Sequence, residues 1–214
     1  MKTAFAVRID AAGTERLRSV TQLADGLEIE VAYLQSRPDG MMLVVYQEGP
    51  EAGRGTSLPG IQPLLSELVF EAVPETVPGD DIYAFAAPLV EGLTEQWLGF
   101  CSEISGPRRA ELQEQRDRVQ LAETIFLQRG GNGDVVIPVI KGISPWEEDH
   151  RIHATGHPFD RWFIDNIARF HGIDFTAPPP PVNELILRLH SSNAASAPGA
   201  QLPAAERAAG GRRG

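Results

Sequence analysis

Two runs that alternate apolar and polar residues, EIEVAYLQ at 28–35 and MMLVVYQ at 41–47, are separated only by SRPDG. That spacing forces an antiparallel hairpin at Pro38-Asp39-Gly40 and constrains what can surround it. Upstream, residues 3–9 alternate as well, with Phe5, Val7 and Ile9 on one side and Ala4, Ala6 and Arg8 on the other, as a half-buried strand requires. Thr14 reads as an N-cap for a helix carrying Leu17, Val20, Leu23 and Ala24. Downstream of the hairpin, Ile61, Leu64, Leu65, Leu68, Val69 and Ala72 stand at helical spacing, and 81–87 reads as a strand. The order over residues 1–92 is therefore β-α-β-β-α-β.

Element order then repeats. Residues 93–103 (LTEQWLGFCSE) read as a strand, and Pro107 opens a heavily charged helix running to about Ala122, most of whose surface should face water. Strands at 124–129 and 134–141 flank the turn GGNG, helices follow over 144–172, and NELILRLH at 183–190 alternates like a closing strand. Pro138 falls inside an internal strand, where it removes a ladder bond, so a bulge is expected there. From residue 191 the chain is rich in Ala, Gly, Ser and Pro and nearly without large apolar side chains, which predicts a disordered tail at 191–214.

Each β-α-β-β-α-β unit is a ferredoxin-like fold with helices on one sheet face only, so the other face needs a cover. Residues 1–92 as a scaffold half and 93–190 as the half with the candidate site can cover each other sheet to sheet. HPFDRWF at 157–163, leading into a helix that ends in FHGIDF, resembles the dimeric α+β-barrel superfamily, in particular small actinobacterial members of that group. The resemblance covers about residues 3–190 and implies an α+β fold in which two subunits are fused as a pseudo-dimer. With the partner fused in cis, a monomer or weak homodimer is expected. That superfamily includes cofactor-free monooxygenases, polyketide cyclases, stress-response proteins and haem-processing enzymes, so it implies architecture more than activity.

Charge and cysteine usage exclude other classes. A formal charge of -10 without a basic patch in the folded part argues against nucleic acid. One cysteine, Cys101, fits a reducing, cytoplasmic setting, and no apolar run approaches a membrane span. P-loop, GxGxxG, GxSxG and CxxC motifs are absent, and no cofactor is expected.

Chemistry near neutral pH concentrates in 144–174, because the first 149 residues contain no histidine and four of the five lie here. Ser144-Pro145-Trp146-Glu147 reads as a capping box, and Trp146, His150 and His153 then share one helical face. His157 before Pro158 forms an elbow, with Asp160 in the first turn of the next helix. His157, Asp160, His153 and His150 are the candidate acid–base residues. Trp146, Trp162, Asn166 and Trp97 are the candidate substrate-binding residues, although aromatic stripes at helical spacing, such as Phe159, Trp162, Phe163 and Phe170, are core first. His150, His153 and His157 with Asp149 and Asp160 have metal-ligand types, but the break at Gly156 interrupts the single face a site needs, so no metal is expected. The reading is a cofactor-independent enzyme of polyketide-like biosynthesis, cyclising or dehydrating a hydrophobic carbonyl compound. A non-catalytic small-molecule or partner-binding module and a cofactor-free monooxygenase stand as alternatives.

Overall fold

The computed structural model describes residues 1–20, 31–49, 66–177 and 182–188. In chain order these form β1 (Lys2–Ile9), α1 (Ala11–Val20), β2 (Val31–Arg37), β3 (Gly40–Glu48), β4 (Ser66–Ala72), β5 (Asp81–Ala84), β6 (Ala87–Pro88), α2 (Thr94–Ser105), α3 (Arg109–Val119), β7 (Ala122–Gln128), β8 (Val135–Gly142), α4 (Pro145–Arg151), a 3-10 turn (Ile152–Ala154), α5 (Pro158–His171) and β9 (Glu184–Arg188).

The hairpin forms as its alternation demands, with Arg37 opposite Gly40 and Leu34 opposite Leu43. Gly40 has φ +127, where a side chain would strain the turn, and Gly133 of the β7–β8 turn has φ +103. The first antiparallel sheet runs β1-β3-β2-β9 and the second β4-β7-β8-β5, with β6 also on β8. The fold is α+β, and the two sheets pack face to face. Ala4, Ala6, Tyr33, Val44 and Tyr46 of the first meet Ile82, Tyr83, Phe126, Ile137 and Val139 of the second in a buried core. The outer face of the first sheet, including Phe5, Leu34 and Leu43, packs on Leu17 of α1. That of the second, with Ile125 and Leu127, packs on α2 and α5 through Trp97, Phe100, Phe159 and Phe163. Each fully buried large apolar side chain contributes about 1.5–3 kcal/mol.

Three local expectations are overturned. Residues 66–72 form β4, not a helix: they pair with β7, and a register shift between Leu68 and Phe70 erases the period-two signal. Residues 61–65 of that expectation lie outside the described residues. The span 93–103 is helical, because its buried Trp97, Phe100, Cys101 and Ile104 stand at spacings of three, four and seven, a helical stripe despite their strand-prone aromatics. The first helix begins at Ala11, and Asp10 rather than Thr14 caps it, its Oδ1 accepting from the Gly13 N–H at 2.6 Å.

Strand membership also differs from chain order. β4 pairs with β7 and β9 pairs with β2, so β4 joins the second sheet and β9, the last strand, joins the first. β5 and β6 precede residue 92 yet belong to the second sheet. Pro138 needs no bulge in the β7–β8 ladder, whose register is unbroken. Its carbonyl accepts from the Phe85 N–H at 3.3 Å, no reciprocal donor exists, and the interruption between β5 and β6 falls opposite it.

β1 is an edge strand of the first sheet and β5 of the second, and side chains from the opposite sheet and its flanks satisfy their unpaired backbone groups in parallel fashion. The Ser66 hydroxyl donates to the Ala4 carbonyl, and Asn183 Nδ2 donates to that of Ala84 at 3.2 Å. Gln35 of β2 accepts from the Ala86 N–H at 2.8 Å and donates to its carbonyl at 3.0 Å. An ion pair closes each seam with reversed polarity, Lys2 to Glu71 at 2.5 Å and Arg188 to Asp81 at 2.5 Å.

Candidate functional site

The histidine-bearing segment returns from β8 through a single strained residue. Ser144 has φ +46 and makes no side-chain cap, so the expected capping box does not form, and Pro145 starts α4 alone. Trp146 then packs, half-buried, against the inter-sheet core. It lies in a chain of rings: Tyr33 to Tyr83 at 5.2 Å edge to face, Tyr83 to Trp146 at 5.0 Å, and Trp146 to His150 at 4.0 Å. His150 Nδ1 sits 2.8 Å from the Trp146 carbonyl oxygen. A carbonyl only accepts, so Nδ1 carries the proton and Nε2 is the ring's acceptor nitrogen. The Tyr33 hydroxyl donates to the Ile82 carbonyl, and the Tyr83 oxygen accepts from the Asn183 N–H at 3.2 Å. Burial, chiefly, pushes both phenols up to about 12, so both keep their protons at neutral pH.

His157 stands at the expected elbow, in extended conformation at φ −63 and ψ 137, and it is the N-cap of α5. Its Nδ1 accepts from the Phe159 N–H at 3.3 Å, which uses the ring's one lone pair. Asp160 lies 4.0 Å from that nitrogen and Glu114 3.9 Å from Nε2, both beyond hydrogen-bond reach. Asp160 is itself buried, at 1% exposure, and saturated. It accepts from Gln115 at 2.8 Å, from Arg118 Nη2 through both oxygens at 2.8 Å, and from the Thr155 hydroxyl. Burial alone would raise its pKa, but these hydrogen bonds and the guanidinium charge hold the carboxyl below the ordinary aspartate range. It anchors α3 to α5 as a fixed anion.

The three tryptophans do not share one wall. Trp97 and Trp162 belong to the cluster between the helices and the second sheet, whereas Trp146 belongs to the core between the sheets. Arg108 covers Trp162, its guanidinium carbon 3.6 Å from the ring centroid, while a bidentate pair with Glu111 fixes it. Asn166, half-buried, donates from Nδ2 to the Trp162 carbonyl at 2.8 Å, one turn back on its own helix. The side chain of His153 and the whole of His190 lie outside what the structure describes. His171 Nδ1 sits 2.8 Å from the Pro88 carbonyl and ties the end of α5 to β6.

One buried ionic group has no counterpart in the sequence expectations. Arg116, on the helix expected to face water, is fully buried, with Nη2 2.6 Å from Glu123 Oε2 on β7 and Nη1 3.5 Å from Asp149 Oδ1 on α4. Burial pushes the Glu123 carboxyl up; Arg116 opposes this and Asp149 adds to it. Burial, with a contribution from Glu123, also pushes the Cys101 thiol up and leaves it a poor nucleophile. The available signal was Glu123 itself, a carboxylate on the strand face it shares with Ile125 and Leu127, which demands a cation.

Among the described residues no cluster of three or more His, Cys, Asp or Glu could hold a metal ion, and no helix is long and apolar enough to cross a membrane. No protein-family model and no curated protein matches the chain. A solved structure described as an anthrone oxidase-like protein is similar at 13% identity and a TM-score of 0.39, over 85% of this chain and 87% of that one.

Proposed function

We propose that this chain is two fused copies of one ferredoxin-like unit, acting in the cytoplasm as a monomer or weak dimer. In this reading it is a cofactor-independent acid–base catalyst that cyclises or dehydrates a hydrophobic, polyketide-like carbonyl compound. The observation that carries the chemistry is the close, tilted contact of the His150 ring with Trp146, centroids 4.0 Å apart at 52°, with Nδ1 held against the Trp146 carbonyl. A ring fixed in one tautomer on an aromatic platform is what a general base for a flat, apolar substrate needs. Nε2 would remove a proton from the carbon beside a ketone, and the resulting enolate would attack a second carbonyl of the same molecule. The imidazolium would then return its proton to the new alkoxide, giving an aldol, and loss of water would follow. Trp146, backed by Tyr83, is the substrate-facing platform.

Among the histidines singled out by sequence, this reading favours His150 over His157, whose Nδ1 is used in the cap of α5, and over Asp160, which is saturated. Those same facts favour the second reading, a non-catalytic module that binds the same class of ligand. The experiment is to incubate the protein with a panel of aryl polyketones and follow binding by tryptophan emission and conversion by mass spectrometry. Conversion that His150→Gln removes, with binding retained, supports catalysis. Binding without conversion in the wild type leaves the binding module standing instead.

A further inference from the structure

α4 has little of its own to hold it in place. It spans seven residues, starts at a positive-φ serine with no side-chain cap, and runs directly into a 3-10 turn. Helices of this length are marginal without tertiary support. Pro145 is buried at its start, Trp146 reaches the inter-sheet core, and Asp149 reaches Arg116. Arg116 is fixed from the other side by Glu123 at 2.6 Å and lies 5.8 Å from the Phe163 ring centroid. None of its buried guanidinium nitrogens has a directed hydrogen bond, so charge rather than hydrogen-bond geometry holds this group together. Buried between two carboxylates, a guanidinium penalises any movement that takes one of them away from it.

We propose that Arg116 is the positioning residue of the His150 site: by holding Asp149 it seats α4, and so fixes the ring contact of His150, the next residue, with Trp146. This rests on the reading of His150 as the base. The arrangement joins α3, β7 and α4 through one cation, and removing the charge of Asp149 frees α4 to shift or fray. The strand side of the group, Arg116 with Glu123, stays intact, so the fold survives the change.

The test reads the ring contact itself and needs no substrate. An imidazolium in contact with an indole quenches its emission, so tryptophan fluorescence of the full chain is titrated between pH 5 and 8. The His150→Gln variant, titrated in parallel, is subtracted to leave the His150-dependent signal. The expected result is that Asp149→Asn loses at least half of that amplitude and Asp149→Glu restores it. An Asp149→Asn variant with full amplitude overturns the proposal. Turnover is measured separately. If Asp149→Asn loses the contact signal while His150→Gln still converts substrate, the catalytic reading falls and the seating role of Arg116 stands. If His150→Gln stops conversion while Asp149→Asn keeps the contact signal, the seating role falls and the catalytic reading stands.

Discussion

Gln128 and Ala6 are joined by two hydrogen bonds across the seam between the sheets: the Ala6 N–H donates to Gln128 Oε1 at 2.9 Å, and Gln128 Nε2 donates to the Ala6 carbonyl at 2.8 Å. A side-chain amide thus stands in for a missing neighbouring strand at the free edge of β1. Gln35 does the same for Ala86 beyond β5. Replacing Gln128 with alanine leaves a buried N–H and a buried carbonyl without partners, at about 1–3 kcal/mol for each. Gln35 is half-buried, and Arg37 also donates to the Ala86 carbonyl at 3.2 Å, so its loss is partly compensated. Urea unfolding of Gln128→Ala is therefore expected to show a loss of about 3 kcal/mol, against about 1 kcal/mol for Gln35→Ala. Equal losses would show that burial of the amide does not set the cost.

Asp160 supplies the second prediction. Its folded pKa is depressed, so its stabilisation is present above the ordinary aspartate value of 3.8 and is lost as pH falls through the lower folded value. Asp160→Asn removes the charge that balances Arg118 and one acceptor site, and should cost about 2–3 kcal/mol at pH 7. The difference between wild type and variant should shrink in acid-unfolding curves below pH 4. A difference independent of pH would mean that the carboxylate charge is not what matters.

The third prediction concerns His171. Burial lowers its pKa, against the opposing effect of the Pro88 and Ala87 carbonyls, so the folded state prefers the neutral ring. Such a group leaves stability untouched above the ordinary value of 6.5 and subtracts from it as pH falls below, because the unfolded chain takes up the proton first. Denaturant midpoints for the wild type should fall between pH 7 and pH 5, and His171→Asn should flatten that part of the curve. An unchanged slope in the variant would assign the acid sensitivity elsewhere.

How much of this was legible before the structure depends on whether a residue's partner is local. The β2–β3 hairpin is set by turn chemistry and alternation within a dozen residues, and the His157 elbow by Pro158 beside it, so both read directly from the chain. β4 does not, because its pairing with β7 and its irregularity at Val69 come from a partner distant in sequence. The exchange of β4 and β9 between sheets is hidden for the same reason. A trace of it exists: Ala4-Phe5-Ala6 recurs as Ala84-Phe85-Ala86, and Leu34-Gln35 with Gly40 recurs as Leu127-Gln128 with Gly133. The alanines receive the clamps and the glutamines make them, and the same offset separates Ser66 from Asn183 as Glu71 from Arg188. Arg116 was invisible within a run of charged residues, since only folding shows which member of RRAELQEQRDRVQ turns inward.

The last prediction separates the two histidines that the segment brings forward. His157 caps α5 through Nδ1, and its removal should act on stability: His157→Ala is expected to lose about 0.5–2 kcal/mol, and His157→Asn, whose side-chain oxygen can cap equally well, should recover most of it. Turnover per folded molecule should be unchanged in both, because neither nitrogen is within hydrogen-bond reach of a carboxylate and the lone pair is already engaged. His150→Gln should behave in the opposite way. Glutamine keeps a donor for the Trp146 carbonyl, so thermal unfolding should move by no more than about 1 kcal/mol, while the loss of a positioned base should lower turnover by about 10²–10⁴-fold. Trp162→Ala serves as the control for packing, since removing a large side chain held between Arg108, Phe100 and Phe159 should cost about 3–5 kcal/mol. If His157→Ala stops conversion while His150→Gln retains it, the base sits at the elbow and the tautomer argument for His150 fails. If both variants convert substrate at the wild-type rate, neither imidazole is the base, and the aromatic platform of Trp146 and Tyr83 is left as a binding surface.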